Sequence, residues 1–465
     1  QALQGAVMQF YDTLDAAVSN DARLRFGFVP YSSAVNITNI LPDLPDDYLA
    51  DDWTYRTKIA NYDTPEYVAD PVTTVTGPVW QYYDNGNTGV SQSNCLRYMK
   101  NQSFGSYSAE ATNQGGPAPT PTKVISFPHD GAATSGDEWG YAGAPVNGSS
   151  SKSCRRKRTT TTTTYATWYK RTNWVYGPEK FDTSAFKNRT SVTLARSGDG
   201  RVKVAGQHNA QELLGIEREN VSTSNYTWNG CIEERKTVFD TAWSVSGGEI
   251  SPKNIDGDAW DLSIDDLPTD DKGSKWGPAW DDVTYRSGGT NPASNYCPVS
   301  MLKLADDNER SRGSVQTYID SLSPVGNTYH DIGLMWGARL MSPTGIFAAS
   351  NAKAPNGRAI DRNIVFMTDG EMAPTTSIYA SYGIEDHDKR IVGSGSMNST
   401  ELAARHNARL QAICDALKQR NINLWVVSYS LTVTPELATC SPDKTYSALN
   451  KDALNNVFRD IAKRI

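Results

Sequence analysis

The chain has 465 residues, 38% of them hydrophobic and 21% charged, with a formal net charge of −7. This length gives room for two or three domains and a sizeable core. The acidic balance argues against nucleic-acid binding, which calls for a basic footprint, and no apolar run approaches the roughly 18 residues of a membrane span.

In chain order, QALQGAVMQFYDTLDAAV places Leu3, Val7, Phe10, Leu14 and Val18 every three or four residues, the spacing of an amphipathic helix. No capping residue precedes it, so the helix is already under way at Gln1. The next segment, RLRFGFVPYSSAVN, carries a strand through Leu24, Phe26, Phe28 and Val29.

Residues 37–314 read as a different zone, a β-rich module inserted into an α/β domain. Short aromatic and β-branched runs recur there, among them VWQYYDNGNTGV and TTTTTTYATWYK. In SVTLARSGDGRVKVAG the GDG separates two alternating segments and predicts a hairpin. KSCRRKRTTTTTTY predicts a strand, because β-branched threonines favour extended backbone, with the basic residues on a solvated edge. The acidic stretch NIDGDAWDLSIDDLPTDDKG fails the EF-hand template, which wants Gly at Ala259 and Glu at Asp265. It reads as a solvated loop. Its paired carboxylates, Asp256 with Asp258 and Asp265 with Asp266, are what a hydrolytic or carbohydrate-active module would use beside aromatic platforms.

Residues 315–465 alternate helix and strand. Ile332, Met335, Trp336 and Leu340 mark one helix, and the strand at 363–367 follows. Leu402, His406, Leu410, Ile413 and Leu417 mark a long helix before the buried strand in NINLWVVSYS. Leu454, Val457, Phe458, Ile461 and Ile465 form a closing helix. Such alternation predicts a mostly parallel sheet with helices on both faces.

Six cysteines, at positions 95, 154, 231, 297, 414 and 440, form no CxxC pair and suit neither zinc ribbons nor redox motifs. An even count in a Thr-, Asn- and Tyr-rich chain favours disulfides and an oxidising compartment. Of the 15 full pairings, order of occurrence gives Cys95–Cys154, Cys231–Cys297 and Cys414–Cys440. Six buried free thiols are the alternative.

The five histidines are scattered, and HExxH, GxSxG, P-loop and GxGxxG motifs are all missing, so no enzyme signature is present. One constellation does carry chemistry. RNIVFMTDGE delivers Asp369 to the carboxyl end of a predicted parallel strand, where open α/β sheets bind ligands. PVGNTYHDIGLMWGARLMSP places Thr328 after a Gly326-Asn327 turn, near a helix start. The alternatives are a tight turn for Asp369 and an N-cap for Thr328. A hydroxyl and a carboxylate suit Mg²⁺, Mn²⁺ or Ca²⁺.

The ordered set FGFVPYSSAVN, GNTYHDIGLMWGARLMSP, RNIVFMTDGE and INLWVVSYS resembles a von Willebrand factor A domain. VPYSSAVN, WNGCIEER, NYCPVSM and WGARLMSP together resemble the TadG-like proteins of the tight-adherence (Flp-type) pilus system. The resemblance covers residues 1–36 and about 295–465, and it touches the insertion only through those short motifs.

It implies a Rossmann-like sheet divided as residues 1–36, inserted module 37–314 and residues 315–465. It further implies a metal-ion-dependent adhesion site in which Thr328 matches the second-motif threonine and Asp369 the third-motif aspartate. The first motif, a DxSxS loop after the first strand, has no match in the chain. The first strand, that loop and a membrane anchor are therefore expected upstream of Gln1, and this chain alone is expected to bind metal weakly or not at all. The implied role is non-enzymatic: pilus assembly or adhesion in the bacterial cell envelope, periplasmic or surface-exposed. The implied partner is a protein, either a pilus component or a surface receptor. A purely structural envelope component with a degenerate metal motif is a further alternative, alongside the hydrolytic one.

Overall fold

The computed structural model describes residues 2–17, 23–83, 91–117, 120–128, 154–196, 200–220, 222–235, 262–284, 296–306, 308–354, 356–391 and 398–465. Helix α1 (Ala2–Ala17) and strand β1 (Phe26–Phe28) come first, where the periodicity placed them. The middle zone then supplies β2 (Asp52–Tyr82), α2 (Gln92–Met99), β3 (Asn113–Gln114), β4 (Thr122–Ser126), β5 (Arg155–Asp182) and α3 (Ser184–Lys187). It continues with β6 (Val192–Arg196), β7 (Gly206–His208), β8 (Ser222–Tyr226), β9 (Ile232–Glu233), β10 (Gly277–Pro278) and β11 (Leu302–Ala305). Next are α4 (Arg312–Ser321), α5 (His330–Met341), α6 (Ala348–Asn351), β12 (Asn363–Thr368), β13 (Tyr379–Ala380), β14 (Gly383–Ile384) and α7 (Glu385–Asp388). The chain closes with α8 (Ser399–Gln419), β15 (Asn423–Tyr429), α9 (Pro435–Cys440), β16 (Thr445–Ala448) and α10 (Lys451–Ala462).

The parallel part of this mixed α/β fold is the trio β12–β15–β16, with Val365 opposite Trp425 and Val427 opposite Tyr446. Strand β15 is central and buried along most of its length, which is why its middle, Leu424–Val427, is apolar at every position. Helix α8 makes the crossover between β12 and β15. It starts with a capping box, in which the Asn398 side chain accepts from the Glu401 amide while the Glu401 carboxylate accepts from the Asn398 amide. Such a cap stabilises a helix by about 1 kcal/mol. The expectation of a mostly parallel sheet is corrected beyond this trio: the remaining sheets among the described residues are antiparallel. The reason is that the middle zone builds hairpin-like ladders, which need no helical crossover.

Strand β1 pairs antiparallel with β11, and neither belongs to the trio. Yet β1 and β12 run side by side in the same direction. At their amino ends Arg25 and Arg362 both donate to Asn351. At their carboxyl ends the Tyr31 hydroxyl donates to the Met367 carbonyl at 3.2 Å, and the Tyr31 ring stacks on Phe366. Helix α5 covers one face across both strands. Its Gly333 lies so close to the Tyr31 ring that a Cβ would sit 2.4 Å from it. On the other face Val7 of α1 packs against the cluster that also takes in Val365 and Met367, and against the one that takes in Phe26 and Phe28. Among the described residues, each of these two strands therefore has a strand neighbour on one edge only.

The middle zone is organised by a ribbon, in which β2 and β5 pair antiparallel from Asp52 opposite Asp182 to Tyr82 opposite Arg155. The threonine run lies in β5, as its β-branching requires. Strand β7 adds to β2 only at Ala60–Tyr62, whereas β4 and then β3 add to β5 at the distal end. The basic run is not simply a solvated edge: Arg156 is buried, and both it and Arg158 pair with Glu110. The hairpin expected across GDG is also corrected, because β6 pairs with β8 instead. Asp256 and Asp258 lie outside the described residues.

The ribbon's base shares one core with the α/β part. Tyr55, Phe181, Trp276 and Trp280 belong to the same cluster as Ile332, Trp336, Leu410 and Ile413. The disulfides are Cys95–Cys154, Cys231–Cys297 and Cys414–Cys440, as order of occurrence gives. Three such bonds are the mark of an oxidising, extracytoplasmic setting. Cys414–Cys440 ties α8 to α9 across a sequence separation of 26. Replacing both cysteines by serine is expected to lower stability by about 3 kcal/mol, read as a shift of the urea midpoint without loss of the native circular dichroism.

Among the described residues no helix is long and apolar enough to cross a membrane.

Candidate functional site

Three loops meet at the carboxyl ends of β1 and β12. The first follows β1 and runs through Ser32 and Ser33. The second precedes α5 and holds Thr328. The third follows β12 and begins at Asp369. Their meeting is fixed by backbone hydrogen bonds: Tyr329 N–H to Ser32 O at 3.2 Å, Ala373 N–H to Thr328 O at 3.0 Å, and Ser381 N–H to Ser33 O at 2.9 Å. The Asn327 amide also donates to the Ala373 carbonyl at 3.0 Å. Gly326 stands where φ is +64° and a side chain would press on Ser32 and Ser33, so the turn needs glycine.

Thr328 and Asp369 are thus brought to one edge. The Thr328 Oγ1 lies 3.3 Å from where a Cβ on Gly370 would stand, so the absence of a side chain there keeps the hydroxyl close to the turn. Asp369 is exposed at that turn. The capping alternative for Thr328 does not hold, since the residue at the α5 N-cap is Tyr329. The turn after β12 is stabilised by Thr368 instead: its Oγ1 donates to Gly370 O at 2.9 Å and accepts from Gly370 N–H at 3.2 Å.

Behind this edge the packing is polar and dry. His330 Nε2 meets Thr368 Oγ1 at 3.0 Å, and burial lowers the His330 pKa to about 4, which keeps the ring neutral. One turn on, burial works to raise the Asp331 carboxyl, but His406 and Arg409 outweigh it and hold it below the ordinary aspartate range. Its Oδ2 accepts from His406 Nδ1 at 2.9 Å and from Arg409 Nε at 3.1 Å. These groups are sealed in the core and brace α5 against α8; none of them reaches solvent as a reacting group.

A second buried network joins the inserted zone to the α/β part, and the sequence reading missed it. Glu234, inside the motif WNGCIEER, takes Arg339 Nη1 at 2.7 Å, Arg339 Nη2 at 3.1 Å, Trp336 Nε1 at 2.8 Å and Trp276 Nε1 at 3.2 Å. Its neighbour Glu233 accepts from Arg390, Tyr379 and Trp53. Burial raises the Glu233 carboxyl, whereas at Glu234 burial is outweighed by Arg339, Arg235 and the Trp336 hydrogen bond acting together, which lower it. Two adjacent acids followed by arginine were the only signal, and such a run usually faces water.

Of the carboxylates considered for hydrolysis, Asp265 accepts from Ser342 and from Arg420, a brace between the loop, α5 and α8. Asp266 is exposed. Among the described residues no group of three or more His, Cys, Asp or Glu side chains is placed to hold a metal ion. Thr328 and Asp369 alone do not make a complete shell, because hard cations want about six oxygens.

Comparison with known proteins finds no match to the chain among family models, curated proteins or solved structures.

Proposed function

We propose that the chain is a non-enzymatic protein of the bacterial envelope, built on a von Willebrand factor A-type domain of the TadG-like kind. It engages a protein partner through a divalent cation held at the carboxyl edge of the parallel strands. The observation that carries the reading is the joining of the Thr328 loop to the Asp369–Gly370 turn at the ends of β1 and β12. The unpaired second edges of β1 and β12 support it: a further strand pairing parallel with both would merge β11–β1 and β12–β15–β16 into one mostly parallel sheet. The loop after that strand would open on the same edge and add the oxygens that Thr328 and Asp369 lack. Mg²⁺, Mn²⁺ and Ca²⁺ all accept such a set of hydroxyl and carboxylate oxygens.

Calorimetric titration tests the proposal. This chain is expected to give no saturable heat with Mg²⁺ or Mn²⁺. A chain extended at its amino end by a strand and a DxSxS loop is expected to bind one ion. Thr328→Ala and Asp369→Ala in the extended chain should each weaken that binding at least about tenfold. Unchanged affinity in both variants would sink the assignment.

A further inference from the structure

We infer that two copies of this chain join edge to edge through Val72–Thr76 of β2, forming an antiparallel pair centred on Thr74. Strand β2 has β5 along one side, and on the other side β7 covers only Ala60–Tyr62. From there to Tyr82 the second edge is open among the described residues. An open strand edge offers unpaired N–H and C=O groups as a template for another strand, and proteins normally defend it with charge. The proximal half of β2 is defended in this way by Asp52, Arg56, Lys58, Asp63 and Glu66, whereas residues 72–82 contain no charged residue. Instead they expose Val72 at 64%, Val75 at 60%, Val79 at 52% and Trp80 at 45%.

The segment is bounded and self-complementary. Pro71 and Pro78 have no N–H to donate, and register shifts in the ribbon fall between Val68 and Val72 and between Thr76 and Val79. The regular run between them is Val-Thr-Thr-Val-Thr. Full antiparallel overlap of this run with itself has one register. Val72 meets the partner's Thr76, Thr73 meets the partner's Val75, and Thr74 meets the partner's Thr74. All of these are β-branched pairs, the kind that stabilise facing strands.

Charge favours the same arrangement. Residues 72–164 carry eight Lys and Arg against five Asp and Glu, within a chain that has 45 and 52. At the distal end Arg155 lies over Trp80 at 4.1 Å and Lys157 at 5.7 Å. Antiparallel pairing brings this cationic end of each copy alongside the partner's Asp63, which accepts from Asn61 and Thr172 in its own chain, and Glu66, which pairs there with Lys170 and Arg201. Pairing of this segment with its own copy about a two-fold axis uses the same edge on both chains, so the contact closes at two copies.

Sedimentation equilibrium over about a hundredfold range of concentration tests the inference. The native chain should move from one copy toward two. Thr74→Lys and Thr74→Glu each place like charges face to face at the two-fold axis, so each variant alone should remain a single copy. An equimolar mixture of the two should regain the doubled mass. Thr74 is exposed, so both variants keep the native circular dichroism. A native chain that stays single throughout, or a Thr74→Lys variant that associates as the native chain does, would overturn it.

Discussion

Replacing Glu234 by glutamine is expected to cost about 3–5 kcal/mol of stability, the range for breaking a buried ion pair by removing one partner. Glu234 and Arg339 are both almost fully buried, with side-chain exposures of 2% and 1%, so water cannot take over the lost contacts. The guanidinium would keep its charge in the core with only an amide beside it. The indoles of Trp276 and Trp336 would compete for a single carbonyl oxygen. The effect should exceed local softening, because these residues sit where the ribbon's base meets α5. A second variant separates charge from packing: Glu234→Gln combined with Arg339→Met should recover part of the loss, since no unpaired charge then remains. Chemical denaturation of the two single variants and the double variant measures the coupling.

The second large effect depends on pH. Asp388 is pushed up to about 8, first by burial and then by the charge of Glu233. The folded protein therefore keeps this proton up to about pH 8, while the unfolded chain releases it near 3.8. Between those values unfolding releases a proton, so stability falls as pH rises through the window. Asp388→Asn has no proton to lose. Its stability relative to the native protein should be near zero change at pH 4 and should grow to several kcal/mol by pH 8. The Ile384 N–H donor, 2.7 Å from the carboxylate, still finds an amide oxygen in the variant. Thermal melts of both proteins between pH 5 and 8 give the difference, and a pH-independent difference would show that Asp388 is already ionised. His330 acts with the opposite sign. Its pKa is lowered to about 4, so its contribution is lost as pH falls from about 6.5, and the comparison above that value isolates Asp388.

The α/β part was legible in the sequence because its signals are local and strong. The apolar runs Ile364–Met367 and Leu424–Val427, each short and closed by polar residues, signalled strands, and the spacing of Leu402 to Leu417 signalled a long helix. Strand β2 was not legible, because Asp63, Asp70 and Pro71 are residues common in turns, and in the structure they fall at register shifts of a continuous ribbon. Short β16 was missed as well: TYSA has too few residues to show a period, and its pairing with β15 is decided by tertiary contact. At the candidate site, Thr328 and Asp369 could be named from their motifs, and the loops do bring them to one edge. The Glu234–Arg339 network could not be named, because nothing in a local window distinguishes a buried carboxylate from a solvated one when its partners lie about a hundred residues away.

The proposed cation site is framed by Thr328 and the Asp369 turn. It is tested most directly by anomalous scattering from Mn²⁺ in crystals of the chain extended by a strand and a DxSxS loop. One strong peak is expected at the carboxyl edge, within bonding distance of Thr328 Oγ1 and bordered by the Asp369 carboxylate. A structure of that chain with no peak between these two residues, or with manganese held elsewhere, would contradict it.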